Sequence, residues 1–110
     1  MRMFKAVLAV LIVAVLAACA KPLPADKTAY AGQWSGLAME MLVTPDGRVD
    51  YKRITGNGTT SVNAPIKEFA GDNMIVGVGP MSTTFVVSKP PHQDGDAWKM
   101  TVDGVELTRK

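Results

Sequence analysis

The chain has 110 residues, with 12 Lys and Arg, 10 Asp and Glu, one His and one Cys. Sixteen of the first eighteen residues are apolar, and the other two are the bases Arg2 and Lys5. All ten acidic residues come later. The remainder therefore balances ten basic against ten acidic side chains, which excludes a nucleic-acid partner, and it is long enough for one small domain.

The amino-terminal segment begins with two basic residues and continues as an uncharged apolar run from Ala6 to Ala20. The run is shorter than the 18 or more residues that suggest a membrane-spanning helix, and it fits the helical apolar region of a signal peptide. It ends in Leu16-Ala17-Ala18-Cys19. This motif resembles the lipobox of bacterial lipoproteins, in which the cysteine is acylated. The alternatives are an ordinary signal peptide with a chance cysteine and a poor membrane anchor.

The resemblance implies that residues 1–18 are removed and that Cys19 carries fatty acyl chains such as palmitate. Two acyl chains give stable membrane anchoring, so the membrane is the first expected partner. Ala20 follows the cysteine and favours the inner leaflet of the outer membrane, facing the periplasm. Residues 19–31 contain two prolines and no regular period, which predicts a lipidated cysteine followed by a flexible tether. Residues 32–110 then form the folded domain.

The domain is predicted to be all-β. All ten glycines lie here, and turn residues separate short apolar runs every six to ten residues. This pattern predicts a single small antiparallel β-barrel or half-open β-sandwich of about seven short strands. Pro65 is expected at an edge or a bulge, and a proline-bounded loop is expected over residues 89–96. The runs interpreted as strands are 34–43, 48–54, 60–69, 74–79, 82–88, 98–102 and 105–109.

Two hairpins have a predicted register. If Val43 faces Val49, then Met41 faces Tyr51 on the inner side. On the outer side, Glu40 then faces Lys52 and Leu42 faces Asp50, so one register satisfies both faces. In the first run, Leu37 is expected to share the inner face with Met39, Met41 and Val43.

The second hairpin is predicted at the end of the chain. Asp103-Gly104 predicts a type I′ turn that pairs Val102 with Val105, Met100 with Leu107 and Trp98 with Arg109.

Gly32-Gln33-Trp34 opens the first strand, and Arg109 closes the last. This arrangement resembles lipocalin-like barrels, in which the tryptophan of a G-x-W motif packs under an arginine from the final strand. The resemblance implies a barrel closed by Trp34, Trp98 and Arg109. The domain is about half the length of a lipocalin, which implies a reduced barrel.

No catalytic site or cofactor is predicted. Ser88, His92 and Asp94 contain the residue types of a nucleophilic triad, but a proline-flanked loop does not hold an imidazole rigidly enough. Asp94 and Asp96 supply two carboxylates, fewer oxygen ligands than the six to eight that calcium needs.

A Cu(I) site is the one metal hypothesis with a motif. Met39 and Met41 place two thioethers on one strand face, downstream of Trp34, and thioethers select Cu(I). The grouping is similar to that in periplasmic copper chaperones, although the tryptophan is farther from the methionines here. Because these methionines share their face with other apolar residues, the favoured interpretation is that they belong to the core.

The expected function is non-enzymatic binding or structural support in the bacterial envelope. One alternative is an inhibitor or accessory partner of an envelope protein, since the size and anchor resemble those of periplasmic lysozyme inhibitors. The other is a carrier of a small hydrophobic ligand or Cu(I). A carrier should have a cavity lined by Trp34, Met39, Met41 and Tyr51, whereas a protein-binding domain should have an apolar patch outside a filled core. The oligomeric state remains open.

Overall fold

A computed structural model describes residues 21–110. The predicted signal peptide and Cys19 lie outside this range. Within it, no helix is long and apolar enough to cross a membrane. The elements are a 3₁₀ helix over Ala25–Tyr30 and nine strands: β1 (Gly32–Gly36), β2 (Met39–Val43), β3 (Arg48–Thr55), β4 (Gly58–Ala70), β5 (Asn73–Val78), β6 (Met81–Phe85), β7 (Val87–Asp94), β8 (Ala97–Val102) and β9 (Val105–Arg109).

All nine strands belong to one antiparallel sheet that curls into a half-barrel. The strand order is β6-β5-β4-β3-β2-β1-β9-β8-β7, so the first and last strands of the chain are neighbours in the interior of the sheet. The two edge strands, β6 and β7, are separated in the chain by Val86 alone. The prediction of an all-β antiparallel domain is confirmed, but the predicted count of about seven strands is wrong.

The first additional strand arises because the run 34–43 is two strands. Ala38 has a φ of 58°, and a tight turn at residues 37 and 38 separates β1 from β2. Leu37 was predicted on the inner face, but its side chain is 89% exposed in this turn. The predicted position of Leu37 was wrong because Leu37 is two residues before Met39 and so matches the apolar alternation of β2, although it belongs to the turn before that strand.

The second additional strand lies in the segment predicted as a proline-bounded loop. Val87–Asp94 forms β7 and contains Pro90 and Pro91. Prolines are tolerated because β7 is an edge strand, where a missing N–H disrupts no second ladder. The predicted run 82–88 also divides at Val86 into the end of β6 and the start of β7.

The predicted register of the first hairpin is confirmed, and that of the second is confirmed for two of its three predicted pairs; the third, Trp98 with Arg109, lies one position beyond the ladder between β8 and β9. Met41 faces Tyr51 and Glu40 faces Lys52 across β2 and β3. Across β8 and β9, Val102 faces Val105 and Met100 faces Leu107. Asp103 and Gly104 have φ values of 48° and 80°, as a type I′ turn requires at both central positions.

Pro65 lies where β4 changes partners. The strand pairs with β3 up to Pro65 and with β5 from Ile66 onward. The ladder with β5 is shifted between Ile66 and Glu68, so a bulge follows the proline directly. The expectation that Pro65 marks an irregularity therefore holds, although β4 is an inner strand of the sheet.

The inner face of the sheet is filled by side chains. Every second residue of β2 is buried, and the same alternation recurs in β3, β5 and β8. The largest side chains in this core that are less than 2% exposed are Trp34, Phe85, Met39, Met41, Met74, Met100 and Leu107. In the described part of the chain no buried residue is polar or charged. The domain is thus held together by the burial of apolar area.

Candidate functional site

A cluster around Trp34 and Arg109 lies where the first and last strands of the sheet pair. The two residues are direct ladder partners across β1 and β9. The Arg109 guanidinium carbon lies 5.6 Å from the centre of the Trp34 ring and 5.0 Å from that of Trp98, which places the cation against both indoles. Arg109 therefore contacts both tryptophans that were predicted with it as barrel-closing residues.

The segment before β1 packs against this cluster. The indole Nε1 of Trp34 donates a 2.9 Å hydrogen bond to the carbonyl oxygen of Tyr30, and the Tyr30 hydroxyl donates one of 2.8 Å to that of Asp72. Burial of Tyr30, with smaller contributions from Asp72 and Asp26, raises its pKa to about 12. The Tyr30 ring also packs edge-on against Phe69, 5.2 Å between centres.

Residues 21–24 follow the surface in an extended conformation. The Leu23 amide donates a 3.1 Å hydrogen bond to the Pro45 carbonyl, and the Leu23 side chain packs on the core. The Lys21 backbone lies against Gly47, where an added Cβ would come within 1.8 Å of the Lys21 oxygen. Residues 21–31, predicted as part of a flexible tether, are therefore attached to the domain.

The candidate copper ligands are brought together but are inside the core. Trp34 is the ladder partner of Met41, and Met39 lies two residues away on the same face. Exposure of all three side chains is at most 1%. The single histidine, His92, lies on β7, and β1, β9 and β8 separate that strand from β2.

Two residues of the hypothetical triad, His92 and Asp94, contact groups outside it. The Nδ1 atom of His92 is within hydrogen-bonding distance, 2.8 Å, of the carbonyl oxygen of Pro90. Asp94 instead forms an ion pair with Lys99, whose pKa is raised mainly by a hydrogen bond to Glu106. The described residues hold no group of three or more His, Cys, Asp or Glu side chains placed to bind a metal.

The end of the sheet that contains the β1–β2 turn carries exposed apolar residues. The β1–β2 turn, the end of β3 and the start of β9 meet there, and the Ile54 amide donates a 2.8 Å hydrogen bond to the Ala38 carbonyl. Leu37 is 89% exposed and Ile54 is 56% exposed. They border a groove of about 560 Å³, with Arg53 on one side and Glu106 on the other. We call Leu37, Ile54 and this groove the apolar turn surface.

Sequence reasoning missed the apolar turn surface because both residues were interpreted as parts of strands. The available signal was the small pair Ser35-Gly36 before Leu37, which permits a turn. A second groove, of about 300 Å³, lies beside residues 21–24 and is bordered by Ile66 and Phe69. Trp34, Met41 and Tyr51 line neither groove.

Comparison with protein-family models, with curated proteins and with solved structures finds no match to this chain.

Proposed function

We propose that the protein is a lipid-anchored lipoprotein of the bacterial envelope and that it binds another envelope protein through the apolar turn surface. The observation that carries the binding role is the contrast between a filled core and an apolar patch outside it. Trp34, Met39, Met41 and Tyr51 are buried, whereas Leu37 and Ile54 are exposed beside a groove. Contiguous exposed apolar patches mark protein-binding surfaces, and Leu37 and Ile54 would form the centre of such a patch.

The chemistry of the groove favours a partner with an apolar side chain flanked by polar groups. Arg53 and Glu106 stand at its border, so the partner should offer one acidic and one basic group around its apolar residue. Apolar anchors in desolvated pockets, surrounded by a polar rim, supply most of the binding energy of protein interfaces.

The position of the described amino-terminal segment supports an anchored orientation. Cys19 is two residues before Lys21, which lies against the β2–β3 turn at Gly47. The β1–β2 turn, with Leu37, lies at the other end of these strands. An acyl anchor at Cys19 would therefore leave the apolar turn surface directed away from the membrane, toward the periplasm.

The proposal includes a reduced lipocalin-like barrel as the fold. Two observations support it: the contact of Trp34 with Arg109, and the pairing of β1 with β9. The two edge strands are joined through Val86 alone, which brings the two edges of the sheet together at that point, as in a nearly closed barrel.

The anchor is tested by Cys19→Ser, with Ala20→Ser as the matched control. In cells fed a labelled fatty acid, the natural chain and the control should be labelled and shortened, and should fractionate with the outer membrane. The Cys19→Ser chain should remain unlabelled and full length. A shortened, soluble Cys19→Ser product would show an ordinary signal peptide instead.

The binding role is tested by placing a photo-crosslinking amino acid at Leu37 and, as the control, at Asp46. Asp46 is also an exposed turn residue but lies between β2 and β3, at the other end of the sheet. Leu37 should give a discrete adduct that Asp46 does not give, and Ile54→Asp should abolish it. Equal adducts at both positions, or none at Leu37, would remove the apolar turn surface as the binding site.

A further inference from the structure

The two edges of the sheet differ in how well they are protected from pairing with another strand. The β7 edge contains Lys89, Pro90 and Pro91, and its ladder with β8 shifts register twice. Lysine, proline and bulges are the usual devices that block pairing at an edge. The β6 edge, with the sequence Met-Ser-Thr-Thr-Phe, has neither charge nor proline.

The backbone of β6 offers hydrogen-bonding groups at this edge. The loop Gly79-Pro80 has two residues, so Val78 and Met81 form the hydrogen-bonded pair that closes the hairpin. Hydrogen-bonded and non-hydrogen-bonded pairs alternate along the ladder from that pair, so Ser82 and Thr84 are in non-hydrogen-bonded pairs with β5. The backbone N–H and C=O groups of Ser82 and Thr84 therefore point away from β5. Both residues are exposed, and β6 has no second neighbour in the sheet of residues 21–110.

The inner face of the β5–β6 hairpin continues as an apolar surface beyond the core. Met74, Val76 and Val78 alternate along β5 on one face, and the first two are buried. Val78 is 66% exposed, and Met81, its ladder partner, is 75% exposed. A strand added at the β6 edge would extend the sheet beside these two side chains.

We infer that the β6 edge pairs with the β6 edge of a second copy of this chain. An antiparallel pair centred on Thr83 places Thr83 opposite itself, Met81 opposite Phe85 and Ser82 opposite Thr84. A two-fold interface brings like residues together, so a charge near its centre would oppose it. The segment from Met81 to Ser88 carries no charge, and Thr–Thr pairs across strands are favourable.

The interface is a weak one in dilute solution. A five-residue strand contributes few backbone hydrogen bonds, and stable interfaces usually bury about 1,200–2,000 Å² in total. Pairing at this edge should therefore depend steeply on protein concentration. The inference stands apart from the proposed partner, because the apolar turn surface does not include β6.

A disulfide at position 83 tests the pairing. Residues opposite each other in a non-hydrogen-bonded pair have Cα atoms about 4.5 Å apart, which is within disulfide range. The full chain carrying Cys19→Ser and Thr83→Cys has one thiol, so the test does not depend on acylation. In detergent with oxidised glutathione, the chain should form a disulfide-linked dimer at least tenfold faster than the Thr60→Cys control, an exposed threonine of β4.

A charged variant gives a second measurement without a crosslink. In the Cys19→Ser chain, Thr83→Glu should shift the monomer–dimer equilibrium toward monomer by at least tenfold in sedimentation velocity, whereas Thr60→Glu should not. Equal crosslinking at positions 83 and 60, or a dimer unaffected by Thr83→Glu, would overturn the inference. A crosslink from position 83 to a different protein would also overturn it and assign the edge to that partner.

Discussion

At the scale of single residues, Arg109 connects several parts of the domain. Its guanidinium contacts Trp34 and Trp98, and its Nη1 atom donates a 3.5 Å hydrogen bond to the Ala29 carbonyl. Its alkyl chain lies so close to Gly32 that an added Cβ would be 2.6 Å from the Arg109 Cδ. One side chain from the last strand thus holds the first strand and the 3₁₀ helix before it.

Trp34→Ala should lower the free energy of unfolding by about 3–5 kcal/mol, because it removes a fully buried aromatic side chain and leaves a cavity. Trp98→Ala is the matched control, since Trp98 also contacts Arg109 but is only half-buried. Trp98→Ala should lower the free energy of unfolding by less than Trp34→Ala does. The measurement is urea unfolding followed by circular dichroism. Equal midpoints for the natural chain and Trp34→Ala would show that the ring does not stabilise the core.

Tyr30 should make stability depend on pH in the alkaline range. Its pKa is about 12 in the folded state and ordinarily 10.0, so the unfolded chain loses the phenol proton first. The stabilisation by the neutral phenol is complete below pH 10 and is lost as the pH rises to 12. Tyr30→Phe should be less stable than the natural chain at pH 9, by about 1 kcal/mol for the lost hydrogen bond.

The difference between the natural chain and Tyr30→Phe should shrink between pH 10 and 12, as measured by urea unfolding at each pH. Phe85→Leu is the control, since it perturbs the core without removing an ionisable group. Its difference from the natural chain should not change over this range. If the difference in stability between Tyr30→Phe and the natural chain also stays constant over this range, the raised pKa of Tyr30 is contradicted.

At the scale of elements, alternation of apolar residues was enough to predict most strands and two registers. Glu40–Lys52 and Met41–Tyr51 satisfy opposite faces at once, so no shifted register competes. The β1–β2 turn was missed because Leu37 and Ala38 lack the usual turn chemistry, and the Ser35-Gly36 pair before them was a weaker signal than the apolar alternation that continues into β2. The β7 strand was missed because Pro90 and Pro91 are compatible with a strand only at an edge, and edges are decided by the whole sheet.

Gly36→Ala should weaken the contact between β1 and β9. A Cβ at this position would lie 2.6 Å from the Glu106 carbonyl oxygen and 2.7 Å from the Leu107 Cδ2 atom, and the backbone oxygen cannot rotate away. We expect a loss of about 1–3 kcal/mol. Gly56→Ala is the control, because nothing lies within 4 Å of its added Cβ. Thermal unfolding should separate the two variants, and equal melting temperatures would contradict the expectation.

At the scale of the whole molecule, the packing of the core bears on the choice between a carrier and a protein-binding domain. The sequence supplied the candidates Trp34, Met39 and Met41 and the criterion that separates the two functions. It could not supply the apolar turn surface. Exposure of Leu37 and Ile54 depends on how the hairpins end, and this follows from the positions of the turns.

Native mass spectrometry should show no stoichiometric copper adduct after the detergent-solubilised chain is incubated with Cu(I), because binding would require opening the core around Met39 and Met41. The same chain with Met39→Leu and Met41→Leu should give the same spectrum. A one-to-one adduct that the double variant loses would make these methionines copper ligands and favour the carrier.

The pairing of Trp34 with Arg109 also determines when folding can finish. The ladder between β1 and β9 joins residues near opposite ends of the described chain, so the sheet cannot be completed before the last strand has emerged from the ribosome. Synthesis at about 5–20 residues/s leaves several seconds between these two strands, and contacts so distant in sequence form slowly. During that interval the chain has not reached its final fold. The proposed export would have to begin while the chain is still in this incompletely folded state.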